Sequence, residues 1–304
     1  MEAYHIPVLL RQSVDLLGIR PEGIYADVTF GGGGHTREIL SRLGPAGRGV
    51  AFDRDPDARQ NLPADDRLIF VPLDFKFIEH ALREHNLLPL DGILADLGVS
   101  SHQFDTPDRG FSFRFEAPLD MRMNPLEGET AADLLREAEP ETLIRIFRDY
   151  GELDNARRVV SELVRAREHT PIRTTRDLEL AVRSCLPPRG QSKYLAQLYQ
   201  ALRIVVNHEL EALETLLEAA PRLLKPGGVL SVIAYHSLED RLVKHFLRSG
   251  NREDVLEKDF YGNPLSPWEL ITRKAIQPSD AEIEVNPRAR SARLRAAKLK
   301  GPNT

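Results

Sequence analysis

The first hundred residues alternate short apolar runs with segments whose apolar residues recur every three or four positions. Short apolar runs closed by Gly, Asp or Pro are typical of buried strands, and the longer spacing is typical of amphipathic helices. The sequence therefore predicts strands at residues 24–30, 49–53, 68–72 and 92–97. It predicts helices between them at residues 36–43 and 78–85. Strands that alternate with helices form a parallel sheet covered on both faces, so we expect a Rossmann-like α/β fold.

The pattern changes from about residue 105, where helical segments rich in Arg and Glu replace the strands. These helices are predicted at residues 131–135, 141–150, 155–167 and 175–185, followed by one long helix at 196–224. The turn KPGG at 225–228 then leads into a strand at 229–234, and an alternating pair follows at 270–275 and 292–297. We therefore expect a sheet domain of residues 1–105 plus 209–304, with a helical insertion of residues 106–208 between its fourth and fifth strands.

Composition narrows the class of protein. A formal net charge of -5 excludes a globally basic coat, so any nucleic-acid contact must come from local patches. One basic segment, residues 288–300, carries six Arg or Lys residues and no acid, and it is either such a patch or a solvated tail. The single cysteine, Cys185, excludes an internal disulfide and fits a reducing compartment, so the cytoplasm is the predicted location. The apolar runs are too short to predict a membrane span.

A glycine-rich segment, DVTFGGGGH at 27–35, stands where the first predicted strand ends and the first helix begins. Such a turn brings backbone N–H groups close to a ligand. Asp53 ends the second strand, a position from which a carboxylate reaches ribose hydroxyls. Together these features predict a nucleoside-binding crevice, with Asp27 and Asp53 on its cofactor side.

The glycine spacing bears on which nucleoside binds. A dinucleotide pattern places a small residue three positions after its second glycine, and here that position holds Thr36 or Arg37. This disfavours the alternative of a nicotinamide-dependent oxidoreductase. A nucleoside that carries an amino acid needs backbone contacts instead of a pyrophosphate site, and Gly33, Gly34 and His35 can supply them.

The second motif, DGILADLGVSS at 91–101, is an apolar strand that ends on Asp96. Methyl transfer to an exocyclic base amine needs alignment of the amine and an oxygen acceptor for its hydrogens. Asp96 is the candidate for that acceptor or for the cofactor edge. A carboxylate that only caps the next turn is the structural alternative.

At this point the sequence resembles the ribosomal RNA small subunit methyltransferase H family, the MraW-type enzymes. The resemblance runs through ordered blocks along nearly the whole chain: HIPVLL at 5–10, the glycine segment, DRDP at 53–56, DLGVSS at 96–101, RGFSF at 109–113, PLDMRM at 118–123, QALRI at 200–204, VNHEL at 206–210, YHSLEDR at 235–241 and NPRARS at 286–291. It implies a class I methyltransferase that uses S-adenosylmethionine, needs no metal, and methylates N4 of a cytidine in the decoding region of 16S RNA.

The resemblance also implies cofactor contacts. They fall on Gly33, Gly34, His35, Asp53, Phe75, Asp96 and Gln103. The neighbouring Phe77 is an alternative to Phe75. Two departures stand out: Gly32 fills a position where many members carry another residue, and Tyr235 stands where phenylalanine is usual.

For the substrate side we expect Asp96, His236 and Tyr235 to carry the chemistry. Related amino methyltransferases stack the base on a tyrosine after the fourth strand, and this chain has none there. Tyr235 is the nominated replacement, with Phe111 and Phe113 as alternatives. The expected partner is 16S rRNA in the assembled small subunit, held by the Arg-rich inserted helices and the basic segment 288–300. A homodimer stays open, and a catalytically silent RNA-binding factor is the remaining rival.

Overall fold

The computed structural model describes residues 7–262 and 265–301, so His5 and Ile6 of the HIPVLL block lie outside the described residues. The chain forms two compact units. The sheet unit comprises Met1–Gly98 with Leu210–Thr304, and the helical unit comprises Val99–Glu209. The first boundary between the units thus lies between Gly98 and Val99, whereas the sequence predicted it between residues 105 and 106. Within the described residues, no helix is long and apolar enough to cross a membrane.

The strands of the described residues form one sheet in the sheet unit. They are β1 (Ile24–Asp27), β2 (Arg48–Phe52), β3 (Leu68–Val71), β4 (Leu90–Asp96), β5 (Leu224–Ala234), β6 (Trp268–Leu270) and β7 (Arg293–Leu299). Their order is β3-β2-β1-β4-β5-β7-β6. The pairs from β3 to β5 are parallel, and β7 runs antiparallel to both of its neighbours. The expected Rossmann-like α/β sheet, split between its fourth and fifth strands, is confirmed.

Twelve α-helices are found among the described residues, and α4 to α10 lie between β4 and β5 in the sequence. They are α1 (Leu10–Leu17), α2 (Gly34–Arg42), α3 (Ile78–Glu84), α4 (Ser101–Asp105), α5 (Ala131–Glu137), α6 (Pro140–Asp149), α7 (Ala156–His169), α8 (Thr175–Val182), α9 (Gln191–Val206), α10 (Glu209–Leu223), α11 (Ser237–Ser249) and α12 (Asp280–Val285). Helices α4 to α9 belong to the helical unit.

Both faces of the sheet are covered, which explains the continuous apolar run of β4. Ile93 and Ala95 pack with α3, α10 and α11 on one face. Leu94, on the opposite face, packs with α1 and α2. A strand buried on both sides has no solvent-facing positions, so the sequence from Gly92 to Ala95 is continuously apolar, between the buried Asp91 and the strand-end Asp96.

The start of β5 departs from the predicted strand at 229–234. Leu224 already pairs with Leu90, and pairing resumes only between Val229 and Gly92. Residues 225–228 therefore bulge out of the ladder, and Gly227 adopts the left-handed backbone with φ 85. The predicted KPGG turn is thus an interruption within β5. Near the other end of the chain, β6 overlaps the predicted strand at 270–275 only at Leu270.

The single helix predicted at 196–224 is wrong, because the chain breaks between α9 and α10. His208 has a positive φ of 50, which is not a helical backbone conformation. The side chain of the preceding residue, Asn207, is buried and forms hydrogen bonds with backbone groups. Its amide donates to Met121 O and accepts from Met123 N, both at 2.7 Å. These partners belong to the PLDMRM block of the same unit, so tertiary hydrogen bonds fix a break that helical periodicity alone cannot show.

The basic segment is not a solvated tail, because much of it is the strand β7. Leu294, Ala296 and Ala297 are buried in the sheet. Arg295 points to α11, where its guanidinium makes two hydrogen bonds of 2.7 and 3.1 Å to the Asp240 carboxylate. A cation held in this way is structural, which leaves fewer basic groups in this segment for RNA than the sequence suggested.

Candidate active site

Parallel strands that end at one edge of the sheet carry the candidate residues. Asp27 and Asp96 are the last residues of β1 and β4, Asp53 directly follows β2, and Tyr235 directly follows β5. Because β1, β2, β4 and β5 are parallel, their carboxyl ends lie at the same edge. The structure thus brings these four predicted residues to one side of the sheet unit.

The glycine segment forms a tight turn between β1 and α2. Gly31 and Gly33 both have positive φ, 51 and 75, and Gly33 is the residue that caps α2. A Cβ on Gly33 would stand 2.8 Å from the Phe30 ring. The turn therefore requires glycine at 33, and it presents the first-turn N–H groups of α2, which have no partner within the helix, toward the strand ends.

Asp53 ties the glycine turn to β2. Its carboxylate accepts hydrogen bonds from Gly31 N at 2.7 Å and from Asp55 N at 2.8 Å. Burial raises its pKa to about 6, because a charged carboxylate loses hydration there. A carboxylate positioned by two backbone groups beside a glycine turn has the place and the chemistry to accept hydrogen bonds from ribose hydroxyls.

Asp27 lies deeper than Asp53, buried beneath the turn. One carboxylate oxygen accepts from the Thr36 hydroxyl at 2.7 Å, and the other accepts from Thr29 N at 3.1 Å. Burial raises the pKa of Asp27 as well. Both oxygens thus bind the loop itself, and the geometry gives Asp27 the task of holding the glycine turn in shape.

Asp96 is the centre of a small polar network. The Tyr235 hydroxyl donates to Asp96 Oδ1 at 2.7 Å, and His35 Nδ1 lies 3.8 Å from Oδ2. The Asp96 N–H donates to the Thr29 hydroxyl at 2.6 Å, which fixes the backbone at the end of β4. The carboxylate is therefore oriented by one strong hydrogen bond and keeps its second oxygen for a further donor.

Burial sets the charge states within this network. It raises the pKa of Asp96 to about 6, partly offset by His35 and by the Tyr235 hydrogen bond. It lowers the pKa of His35, so the imidazole is neutral near pH 7. Burial, together with the Asp96 charge, raises the pKa of Tyr235. Near pH 7.5 the arrangement is a carboxylate between a neutral hydroxyl donor and a neutral imidazole.

Glu239 supports this network, although it was not among the site residues predicted from the sequence. It is buried, and its Oε2 accepts from Tyr235 N at 2.9 Å. Its Oε1 lies 3.1 Å from His236 Nε2. The three-residue spacing from His236, within the YHSLEDR block, was the signal available. His236 caps α11, and its Nδ1 accepts from Glu239 N at 3.4 Å.

The remaining predicted contacts have different surroundings. Phe75 follows β3 in a short 3-10 turn, Phe75–Phe77, and packs half-buried against the sheet core. Phe77 is 46% exposed, with the Lys76 ammonium 5.1 Å from its ring centroid. Gln103 lies in the helical unit, where it forms a capping box with Ser100 at the start of α4. Of the two aromatics at 75 and 77, Phe75 is thus the one on the sheet core at the end of β3.

The residues of the sheet unit fit S-adenosylmethionine. The ligand's ribose needs an acceptor, which Asp53 would provide, and its amino-acid end needs backbone donors, which the start of α2 would provide. Its adenine needs an apolar surface, and the half-buried Phe75 offers one. His35 Nε2 is buried and has no hydrogen-bond partner among the described residues, an orphaned polar atom typical of a ligand site.

Comparison with known proteins identifies the group to which this sheet and these strand ends belong. The profile of the MraW methylase family matches residues 2–300. A protein named ribosomal RNA small subunit methyltransferase H from Bacteroides thetaiotaomicron is 52% identical over 297 residues, covering 98% of each chain. A protein of the same name from Flavobacterium johnsoniae is 53% identical over 294 residues, covering 97% of each.

Solved structures were compared as well. The crystal structure of an rRNA methylase from Streptococcus thermophilus aligns over 98% of this chain and 99% of its own, with a TM-score of 0.41 and 11% identity. The family match and the two sequence relatives carry the assignment. The fold is that of a class I methyltransferase, the methyl donor is S-adenosylmethionine, and the chain belongs to the MraW methylase family.

Proposed function

We propose that this enzyme transfers a methyl group from S-adenosylmethionine to N4 of a cytidine in the decoding region, at the P site, of 16S rRNA. The observation that carries the proposal is Asp96: a half-buried carboxylate with one oxygen fixed by Tyr235 and the other available for a donor. The names of the relatives, which specify ribosomal RNA of the small subunit, support the substrate class.

The chemistry asked of Asp96 follows from the acceptor. S-adenosylmethionine supplies a methyl group on a positively charged sulfur. The cytidine amine is a poor nucleophile because its lone pair is delocalised into the ring. An N–H group that donates to Asp96 favours the pyramidal nitrogen that attacks. As the nitrogen–carbon bond forms and the carbon–sulfur bond breaks, Asp96 accepts the proton that the nitrogen must lose.

The charge state of Asp96 suits this role. With its pKa raised to about 6, the carboxylate is ionised at pH 7.5 and still basic enough to take a proton. Tyr235 and the neutral His35 flank it without neutralising it. We therefore assign Asp96 as general base or proton acceptor, with Tyr235 as its orienting donor.

Tyr235 is also our nominee for stacking on the extruded base. Its ring is half-buried beside the end of β5, and its hydroxyl is anchored on Asp96. The two alternatives have other tasks in the helical unit: Phe111 is buried in the core, and Phe113 packs edge-to-face with Tyr199, with ring centroids 5.5 Å apart. Replacement of Tyr235 by Leu should then lower turnover more than the same change at Phe113.

We propose the assembled small subunit as the substrate, in the cytoplasm, because a folded particle can present one defined base to a pocket. His236 stays a candidate on the substrate side. Its Nδ1 forms the cap hydrogen bond and its Nε2 lies 3.1 Å from Glu239 Oε1, so we propose that it acts by positioning Tyr235 and Glu239.

The direct test is transfer of labelled methyl from S-adenosylmethionine to small subunits that lack this modification, followed by nucleoside analysis. We expect label in N4-methylcytidine. The Asp53→Ala variant should raise KM for S-adenosylmethionine, whereas Asp66→Ala, which removes an exposed carboxylate of the same unit, should not. Label in another nucleoside would overturn the cytidine assignment. RNA binding without any label would favour the silent binding factor.

A further inference from the structure

One corner of the helical unit gathers cations from three parts of the chain. The turn after α8 is fastened to the start of α7 by Arg158 Nη2, which donates to Ser184 O at 2.8 Å. Asn155, just before α7, accepts a hydrogen bond at its Oδ1 from the Tyr194 hydroxyl of α9, at 2.8 Å. These hydrogen bonds hold the start of α7, the 3-10 turn Arg183–Cys185 and the start of α9 together.

Four exposed basic residues occupy these three elements, and we name them the cationic corner: Arg157, Arg183, Arg189 and Lys193. Within the part of the chain that the structure describes, none of the four has a carboxylate within 4 Å or a side-chain hydrogen bond. Two acidic residues, Glu152 and Asp154, precede α7 in sequence and form no ion pair with them.

Three arginines elsewhere on the helical unit behave differently, although the dispersed Arg114, Arg145 and Arg173 are exposed and form no ion pair among the described residues. Arg136 pairs with Asp133 at 2.7 Å, Arg148 with Asp149 at 2.7 Å, and Arg176 with Glu179 at 3.3 Å. These pairs neutralise exposed charge locally. At the corner, in contrast, four basic residues without ion pairs lie on or beside elements that hydrogen bonds hold together. Repulsion between unpaired like charges lowers the stability of the free protein, and a bound polyanion removes that repulsion.

We propose that the cationic corner binds phosphates of the RNA substrate. The inference rests on the proposed function, because it names a surface by which an rRNA methyltransferase would hold its substrate. Side chains without intramolecular partners are free to contact phosphate oxygens, and they carry no base specificity. The corner should therefore contribute affinity and its salt dependence, with no contribution to the chemical step.

The test compares two triple variants of the full-length enzyme with equal change in charge. Arg183→Ala, Arg189→Ala and Lys193→Ala remove three cations of the corner. Arg136→Ala, Arg148→Ala and Arg176→Ala remove three paired cations of the same unit. For the corner variant we expect KM for small subunits to rise about tenfold or more near 0.15 M salt, with kcat unchanged at saturation. The plot of log affinity against log salt concentration should become shallower by about 2, since each phosphate contact contributes about 0.7 to 0.9 to the magnitude of its slope.

The control variant should change both quantities much less. Thermal unfolding of the corner variant should be unchanged or slightly improved, because the removed side chains are exposed and form no ion pair or side-chain hydrogen bond among the described residues. An unaltered KM and salt slope in the corner variant, with wild-type methylation intact, would overturn this inference alone. Absence of methylation by the wild type would overturn the proposed function instead. Lost binding to subunits with normal binding to isolated 16S RNA would assign the corner to a protein partner and reject the RNA contact.

Discussion

In the sheet unit, three carboxylates lie at one edge of the sheet with raised pKa values, whereas the helical unit keeps its perturbed carboxylates at the surface. Burial raises the pKa of Asp27, Asp53 and Asp96. In the helical unit, a hydrogen bond from the Thr130 cap lowers the pKa of Asp133, and the adjacent Arg148 lowers that of Asp149. The ionised form of the three sheet-unit carboxylates is therefore disfavoured by burial. The ionised form of the two helical-unit carboxylates is favoured by their hydrogen bonds.

Two buried side chains, one from each unit, show the same difference. Asn207 in the helical unit is fully engaged by backbone groups, whereas His35 in the sheet unit has an orphaned Nε2. Unfavourable burial persists in a fold only where something else compensates it, and ligand binding and catalysis are the usual reasons. The contrast therefore separates residues kept for chemistry from residues kept for stability, and substitutions can test that separation.

The largest expected effect comes from Asp96→Asn. Loss of the proton acceptor should lower kcat by about a thousandfold, within the range for general-base removal. Stability should move in the opposite direction. Because the pKa of Asp96 in the folded protein is about 6, above its ordinary 3.8, its contribution to stability is present at pH 4 and lost as the pH rises through 6.

Asparagine keeps the acceptor for Tyr235 and never ionises. At pH 7.5 the variant should therefore be more stable than the wild type by up to about 3 kcal/mol in urea unfolding, and at pH 4 the gain should vanish. If the variant lost both activity and unfolding free energy at pH 7.5, Asp96 would be a structural residue. The proposed difference between the carboxylates of the two units would then be wrong.

Asn207→Ala should produce the largest loss of stability in the helical unit. The change leaves Met123 N and Met121 O buried without their partner, at a cost of about 2 to 4 kcal/mol. Urea unfolding followed by circular dichroism measures it. Asn124→Ala is the matched control, because that amide bonds only a neighbouring exposed N–H, Leu126 N at 3.1 Å. Equal losses in the two variants would show that the Asn207 contacts do not hold the break between α9 and α10.

These two residues also show what the sequence could and could not predict. Asp96 was recognisable because an apolar strand that ends on a carboxylate is a local pattern, and parallel strands must end at a common edge. Asn207 was not, because its partners lie in the PLDMRM block, far away in the chain. Glu239 escaped for a similar reason: its spacing from His236 looked like an ordinary helix start, and only the structure shows it bonded to Tyr235 N.

The four shorter helices predicted in the insertion are all present, whether a capping box begins them, as at Thr130 and Thr174, or no side-chain cap does, as at Glu139. The sequence could not reveal which arginines are neutralised. Ion pairing depends on which acidic side chain the fold brings near, so Arg295, predicted to contact RNA, is instead bound to Asp240.

A smaller effect is expected from Gly33→Ala. Alanine must adopt the left-handed backbone at φ 75, and its Cβ would stand 2.8 Å from the Phe30 ring. The expected destabilisation is about 1 to 2 kcal/mol, with a few-fold rise in KM for S-adenosylmethionine. Gly32→Ala is the control: nothing lies within 4 Å of a Cβ there, so its unfolding free energy should stay within about 0.5 kcal/mol of the wild type. A neutral Gly33 variant would show that the turn adapts and is not a rigid support for the ligand.

The smallest effect belongs to Tyr235→Phe, which isolates the hydrogen bond within the network. The hydroxyl lowers the pKa of Asp96, so its removal should raise that pKa and move the acid limb of the kcat profile to higher pH. Near pH 8.5, where Asp96 is ionised in both proteins, kcat should fall only about threefold, because the ring remains for stacking. Tyr261→Phe, on an 85% exposed side chain of the same unit, should change neither value. An acid limb that moved to lower pH would mean that the hydroxyl does not stabilise the carboxylate, and the charge state of Asp96 would then need another source than Tyr235.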